Sequence, residues 1–145
     1  MSTREDIASN LVTVIGNISS PDVKKVTRQP FELDELSQQQ YPAVLIQTIE
    51  ETKEDQELGS GAKTRLNTLE FGITGFTKGS ESNIDTARND LASAIETALE
   101  SDITRDGNAL DTEVISIETD AGSLFPYGAV LITVRVIYEH QSGTP

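Results

Sequence analysis

The stretch Ala129–His140, AVLITVRVIYEH, decides how this chain folds, because it is apolar on both faces of a strand. Side chains alternate across a strand, so one face carries large apolar residues: Val130, Ile132, Val134, Val136 and Tyr138. The other face is also too apolar for a surface that only contacts water: Leu131, Thr133, Arg135, Ile137 and Glu139. Helices of the same chain can cover one face. We expect a second copy of the chain to cover the other.

The composition excludes several classes of protein. The 145 residues contain no cysteine, which excludes thiol catalysis, a disulfide scaffold and cysteine-rich zinc sites. The 24 acidic residues against 11 Lys and Arg give a formal net charge of -13, which argues against direct nucleic-acid binding because phosphate backbones are repelled. At this length a single domain over residues 1–145 is expected.

Segments for targeting or membrane insertion are not recognisable. The start, MSTRED, lacks the basic start followed by an apolar run that is typical of a signal peptide. No apolar stretch approaches the ~20 residues that cross a bilayer. We therefore expect a soluble protein that acts inside the cell and has no membrane partner.

The hydrophobic periodicity predicts two helices and four or five strands. Capping-box spacing from Ser2 to Glu5 predicts a helix over Thr3–Gly16, and an apolar stripe predicts a second helix over Asn83–Ser101 with Ser82 as its cap. Strands are predicted at about 23–27, 41–50, 63–76, 112–119 and 127–140. This order is typical of an α+β fold: a mainly antiparallel four- to five-stranded sheet with two helices packed on one face.

A charge run separates two of the predicted strands. Residues 50–57 read EETKEDQE and lead into LGSG, which predicts a long mobile hairpin loop at about 50–63. Its paired carboxylates, such as Glu50 with Glu51 and Glu54 with Asp55, are interpreted as a solvated run. An acid–base pair would need an apolar pocket to raise a pKa. Residues 141–145 are predicted to form a flexible tail.

One segment, DITRDGNALDTE at 102–113, matches the pattern of an EF-hand calcium loop. The oxygen ligands would include Asp102, Thr104, Asp106 and Glu113. The strand-like VISI follows, however, where an exiting helix is required. The competing and preferred interpretation is a helix-to-strand turn in which Asp106-Gly107 supplies a positive φ. We therefore expect no metal and no cofactor, and this loop is the single candidate cation site.

No set of catalytic side chains converges. His140 is the only histidine, and it is predicted to be exposed at a strand end without the fixed neighbours that a general base needs. One histidine and no cysteine exclude a nitrogen- or sulfur-based zinc site. Tyr41 and Tyr138 are interpreted as core or interface aromatics. We expect the protein not to be an enzyme.

The order of features resembles the tail terminator proteins, also called tail completion or minor tail proteins, of long-tailed bacteriophages. The shared features are an N-terminal amphipathic helix, the strand entry YPAV at 41–44, an acidic hairpin tip, a helix that ends in an Asp-Gly loop, and the FPY corner at 125–127 before the last strand. The resemblance covers nearly the whole chain and rests on pattern and length, not on one specific motif.

The resemblance implies a structural virion protein located in the tail or neck and assembled in the host cytoplasm. Such proteins form a ring, commonly a homohexamer, that caps the tail tube, ends its polymerisation and provides the head–tail joining surface. The implied partners are sister subunits, the tail tube protein, the head-side neck connector and, in contractile phages, the tail sheath protein. DNA only passes through the lumen.

The subunit or tube interface is expected at the hairpin tip and on the outer side of the last strand. The candidate residues are Glu50, Glu51, Glu54, Asp55, Glu57, Lys63, Arg65, Leu131, Arg135 and Ile137. Deletion of Glu51–Gly61 is expected to leave the monomer folded but to impair tail capping. The alternative functions are another neck component, namely a head-completion adaptor or a tail tube protein, and a small acidic calcium- or ligand-binding module.

Overall fold

Two α-helices and five strands form the fold in the computed structural model, which describes residues 2–32, 35–55, 64–80, 82–122 and 124–141. The elements follow in the order α1 (Thr3–Gly16), β1 (Lys25–Thr27), β2 (Ala43–Asp55), β3 (Thr64–Lys78), α2 (Ile84–Glu100), β4 (Asp111–Thr119) and β5 (Tyr127–Gln141). A turn of 3-10 helix, Gln38–Gln40, precedes β2. None of the helices in the described ranges is long and apolar enough to cross a membrane.

The sheet has the strand order β1-β2-β3-β5-β4. Strand β1 runs parallel to β2, and the other neighbouring pairs are antiparallel. Strand β5 pairs with β3 along its whole length and with β4 on its other side, so it is an internal strand of the sheet. The predicted α+β fold with a mainly antiparallel sheet is confirmed.

The core lies between the helices and one face of the sheet, which we call the inner face. The β5 residues predicted to be buried on it are all buried: Val130, Ile132, Val134, Val136 and Tyr138. Each helix contributes a stripe of buried residues spaced four apart: Ile7, Leu11 and Ile15 in α1, and Leu91, Ile95 and Leu99 in α2. Burial of these side chains is the main favourable contribution to folding.

The opposite side of the sheet, which we call the outer face, is only partly covered. Phe31 packs edge-on against Phe76 at one end, with ring centroids 5.5 Å apart. Farther along, Leu131 remains 37% exposed and Ile49 59% exposed. The described part of the chain therefore leaves apolar side chains on this face in contact with solvent.

The predicted hairpin loop is wrong for its first six residues. Strand β2 continues to Asp55, and Glu50–Asp55 pair with β3, from Glu50 opposite Glu70 to Asp55 opposite Arg65. The backbone hydrogen bonds to β3 hold this segment as a strand in spite of the low strand propensity of its four acidic residues. Residues 56–63 lie outside the described part of the chain. Gln141 belongs to β5, and residues 142–145 are also outside it.

The helix starts agree with the sequence in one case and differ in the other. Ser2 caps α1 as predicted, since its Oγ accepts a hydrogen bond from the Glu5 amide at 3.2 Å. The N-cap of α2 is Asn83 instead of Ser82. The Asn83 Oδ1 accepts a hydrogen bond from the Ser80 amide at 2.8 Å, so it stabilises the preceding turn.

Candidate functional site

An acidic row crosses the outer face. The strand register places Glu50 opposite Glu70 and Glu70 opposite Arg135, and Arg135 is opposite Glu113 on β4. The Arg135 Nη1 lies 3.9 Å from the Glu113 Oε2. One guanidinium thus stands among three carboxylates, and Glu50 and Glu70 are like charges on directly opposed residues. The row is net negative.

An apolar patch lies beside this row. It consists of Ile49 and Leu131, which converge over Gly72. A Cβ on Gly72 would lie 3.0 Å from the Ile49 Cδ1 and 3.7 Å from the Leu131 Cδ1, so the missing side chain gives these two residues room. Contiguous exposed apolar side chains rimmed by charge mark interaction surfaces. The outer face is therefore the candidate site for assembly.

The candidate interface residues fall into three groups. Leu131, Arg135 and Ile137 lie together on the outer face of β5, as expected, and Glu50 joins them through the acidic row. Glu54 is exposed near the end of β2, and Arg65 is half-buried in β3. Asp55 ends β2, while Glu57 and Lys63 lie outside the described residues.

Glu51 does not belong to the outer face, because a β-bulge between Thr48 and Glu50 shifts the register. It pairs with Leu69, whose side chain is fully buried on the inner face. The expected exposed position in a solvated run is therefore wrong for Glu51. The bulge turns a surface carboxylate towards the helices.

On the inner face, the Glu51 carboxylate links α1 to the sheet through hydrogen bonds. Its Oε2 accepts from the Arg4 Nη2 at 2.6 Å, and its Oε1 accepts from the Tyr138 hydroxyl at 2.5 Å. Burial raises the pKa of Glu51, but the hydrogen bonds from Arg4, Tyr138 and Lys53 outweigh it and lower that pKa to about 2. Burial and the bond to Glu51 raise the pKa of Tyr138 to about 12. Glu51 therefore stays ionised and Tyr138 stays neutral at neutral pH.

His140 also has fixed neighbours, contrary to expectation. It is half-buried, and its Nδ1 lies 2.5 Å from the Nδ2 of Asn67, a fully buried side chain that also accepts from the Lys53 Nζ at 2.9 Å. Burial, followed by the positive charge of Lys53, lowers the pKa of His140. The sequence did not reveal this contact because Asn67 and His140 are 73 positions apart.

The candidate calcium loop is a turn that is held by hydrogen bonds within the loop. The Asp102 carboxylate accepts from the Thr104 hydroxyl at 2.5 Å and from the Asp106 amide at 2.9 Å. Asp106 and Gly107 have φ angles of 60° and 84°, as the turn interpretation predicts. Glu113 lies in β4 beside Arg135. Among the described residues no group of three or more His, Cys, Asp or Glu side chains is placed to hold a metal ion.

Two buried arginines were missed by sequence reasoning. Arg105 is fully buried after α2, and its Nη2 donates to the Leu99 carbonyl at 2.5 Å, which stabilises the helix C-terminus. Arg88 donates to Asp85 and to Asp120, each at 2.7 Å, and links α2 to the turn before β5. The position of Arg105 just after a helix is the one sequence signal that could have indicated its role.

No protein-family model and no curated protein matches the sequence of this chain. Among solved structures, its fold is similar to that of a chain in the virion of a native gene transfer agent particle. The TM-score is 0.50 at 14% sequence identity, and the match covers 96% of this chain and 92% of the other. At this identity the likeness concerns the fold, and it extends over almost the whole of both chains.

Proposed function

We propose that this chain is a structural protein of a phage or phage-like virion and, more specifically, a tail terminator that forms a ring on the end of the tail tube. The observation that carries the proposal is the likeness in fold, over 96% of the chain, to a chain from a gene transfer agent virion. The order of sequence features, which resembles tail terminators, supports the finer role.

The outer face supports an assembly role. Ile49 and Leu131 are exposed apolar residues beside an acidic row, and sister subunits or the tube would cover them. A contact between two different surfaces of one chain closes into a ring when the rotation between copies permits it. The net charge of -13 suits a lumen through which DNA slides without adhering.

We also infer that the protein is not an enzyme. Two groups of buried or half-buried ionisable side chains among the described residues are held in internal bonds: Glu51 with Arg4 and Tyr138, and Arg88 with Asp120. A nucleophile or general base needs instead a group held in place and free to react with a substrate. In the proposed ring, the partners are the tail tube protein and the head-side connector, with the sheath protein added in contractile tails.

The test combines solution mass with tail morphology. Light scattering and negative-stain imaging should show annular particles of six times 15.7 kDa, in solution or at the end of isolated tubes. In the particle that encodes this chain, loss of its gene should give tubes of uncontrolled length without heads. Tails of normal length joined to heads would contradict the proposal.

The same experiment separates the other neck roles. A tail tube protein would polymerise into long tubes by itself. A head-completion adaptor would remain bound to heads in a mutant that makes no tails. A tail terminator should instead copurify with tubes in a mutant that makes no heads.

A further inference from the structure

Strand β4 is an edge strand that can accept another strand. It is one of the two edges of the described sheet, so one row of its backbone N–H and C=O groups has no strand partner among the described residues. Its sequence, DTEVISIET, contains neither the proline nor the lysine that commonly blunts an edge, and its one irregularity is a bulge between Val114 and Ser116. Ile115 and Ile117 are 41% and 42% exposed. Such an edge is suited to strand pairing with a second chain.

The charge of β4 disfavours pairing with itself. The strand carries Asp111, Glu113 and Glu118 and no basic residue. An antiparallel pair of two β4 strands centred between Ile115 and Ser116 would place Glu113 opposite Glu118 twice. Like charges directly opposite one another are destabilising. A basic strand is the better partner.

The opposite edge of the same sheet is basic. Residues 23–28 read VKKVTR and include β1. Lys24 and Arg28 form exposed ion pairs, with Asp22 at 2.6 Å and Glu5 at 2.5 Å, while Lys25 is half-buried. Exposed pairs contribute little stability and exchange partners readily. This edge can therefore turn its cations towards an acidic strand.

The lengths of the two edge strands agree with this pairing. Strand β1 covers β2 only from Ala43 to Leu45, so Ile49 lies on the same edge just past the end of β1. The incoming β4 is nine residues long against three for β1, so it extends beyond β1. Its Ile117, which lies opposite the buried Ile132, would then extend the inner face of the sheet into the next subunit.

We propose that the acidic edge strand β4 of one copy pairs with the basic edge strand β1 of the next copy, so that the sheet continues from subunit to subunit. This inference rests on the proposed ring and names its contact. Backbone hydrogen bonds supply affinity, and the opposite charges select the head-to-tail arrangement over the symmetric one. A contact of this kind closes into a ring or grows as a filament.

Charge reversal on each edge tests the contact. Lys25→Glu and Glu118→Lys should each weaken self-association of the full chain at least tenfold, measured by sedimentation velocity at concentrations up to the millimolar range. The double variant should assemble again. An equal mixture of the two single variants should also assemble, because each acidic edge then meets a basic one. Asp90→Lys, the same charge change as Glu118→Lys but on the exposed face of α2, should leave assembly unchanged.

Crosslinking identifies the edges directly, because the chain has no cysteine of its own. Gln29→Cys and Ser116→Cys place one thiol near each edge, and a short bifunctional thiol reagent should join the two variants to each other. If crosslinks form only between two Ser116→Cys chains, the proposal is wrong. If both charge-reversal variants still form rings, the edge contact is wrong, but the proposal of a tail terminator stands. If the wild-type chain stays monomeric at all these concentrations, the edge contact is wrong. The imaging of isolated tubes described above would then show whether the protein forms a ring.

Discussion

At the scale of single residues, Glu51 shows how one bulge changes the role of a carboxylate. Its neighbour Glu50 is exposed on the same strand, whereas Glu51 bonds to Arg4 and Tyr138. A half-buried carboxylate keeps its charge only where donors replace the lost water. The Glu51 bonds therefore connect three elements, and a deletion from Glu51 to Gly61 would remove them together with the end of β2. A deletion limited to residues 56–61 is the cleaner test of the hairpin tip in tail capping.

Replacing Glu51 with Gln should lower the free energy of unfolding at pH 7 by about 1–2 kcal/mol. The pKa of Glu51 is lowered from 4.5 to about 2, so its stabilising contribution is complete above about pH 4.5 and is lost as the pH falls towards 2. The wild-type chain should lose more stability in this window than the variant. Urea unfolding at several pH values measures this. Glu50→Gln on the same strand is the control, and equal pH profiles for Glu51→Gln and wild type would contradict the assignment.

Arg88 gives a second prediction at this scale. Arg88→Met should destabilise the chain by about 3 kcal/mol, because it leaves the Asp120 carboxylate buried without its cation. Asp85→Ala removes the other partner of the same guanidinium, but the Asp85 side chain is 75% exposed, so the loss should stay below about 1 kcal/mol. Urea midpoints compare the two variants. Similar losses for both would show that Asp120 does not depend on Arg88.

At the scale of elements, the contact between α2 and the sheet depends on a glycine in β3. A Cβ on Gly75 would lie 2.7 Å from the Leu91 Cδ2 and 3.2 Å from the Val130 Cγ1, and both side chains are buried. The helix can approach the strand closely because Gly75 has no side chain. The matching apolar stripes on α2 and β5 meet on either side of it.

Gly75→Ala should therefore destabilise the chain by about 1–3 kcal/mol through overpacking. Gly16→Ala is the matched control, since the nearest atom to its added Cβ, the Val26 Cγ2, lies at an ordinary 3.8 Å. At the end of α1 that change should be neutral or stabilising by up to about 1 kcal/mol. Thermal unfolding of the two variants checks the difference. A harmless Gly75→Ala would mean that α2 can shift away from β3.

At the scale of the whole molecule, the net negative charge opposes folding of a single chain, whereas the charges on the two sheet edges favour the proposed contact between chains. The net charge of -13 repels itself within one chain, whereas the proposed contact joins an acidic edge to a basic one. Salt screens both interactions, because the Debye length falls from about 30 Å at 0.01 M to about 8 Å at 0.15 M.

Added sodium chloride should therefore raise the melting temperature of the single chain and weaken association between chains. The Lys25→Glu variant, in which association is reduced, allows the folding effect to be measured alone by scanning calorimetry. An uncharged solute at the same osmolality is the control. A melting temperature that falls over this range of salt would show that attractive ion pairs, such as that of Arg4 with Glu51, outweigh the excess of negative charge.

The sequence alone determined the features that repeat along the chain: the bounds of α1, the approximate extent of α2, the inner face of β5 and the α+β class. Helical and strand periodicities are local, so they can be read from neighbouring residues. Only the tertiary structure decided the length of β2, the inward direction of Glu51 and the contact of His140 with Asn67. It also decided that a basic strand and an acidic strand form the two opposite edges of one sheet. Each of these depends on the register between strands far apart in sequence, which is set by the packing of the whole sheet.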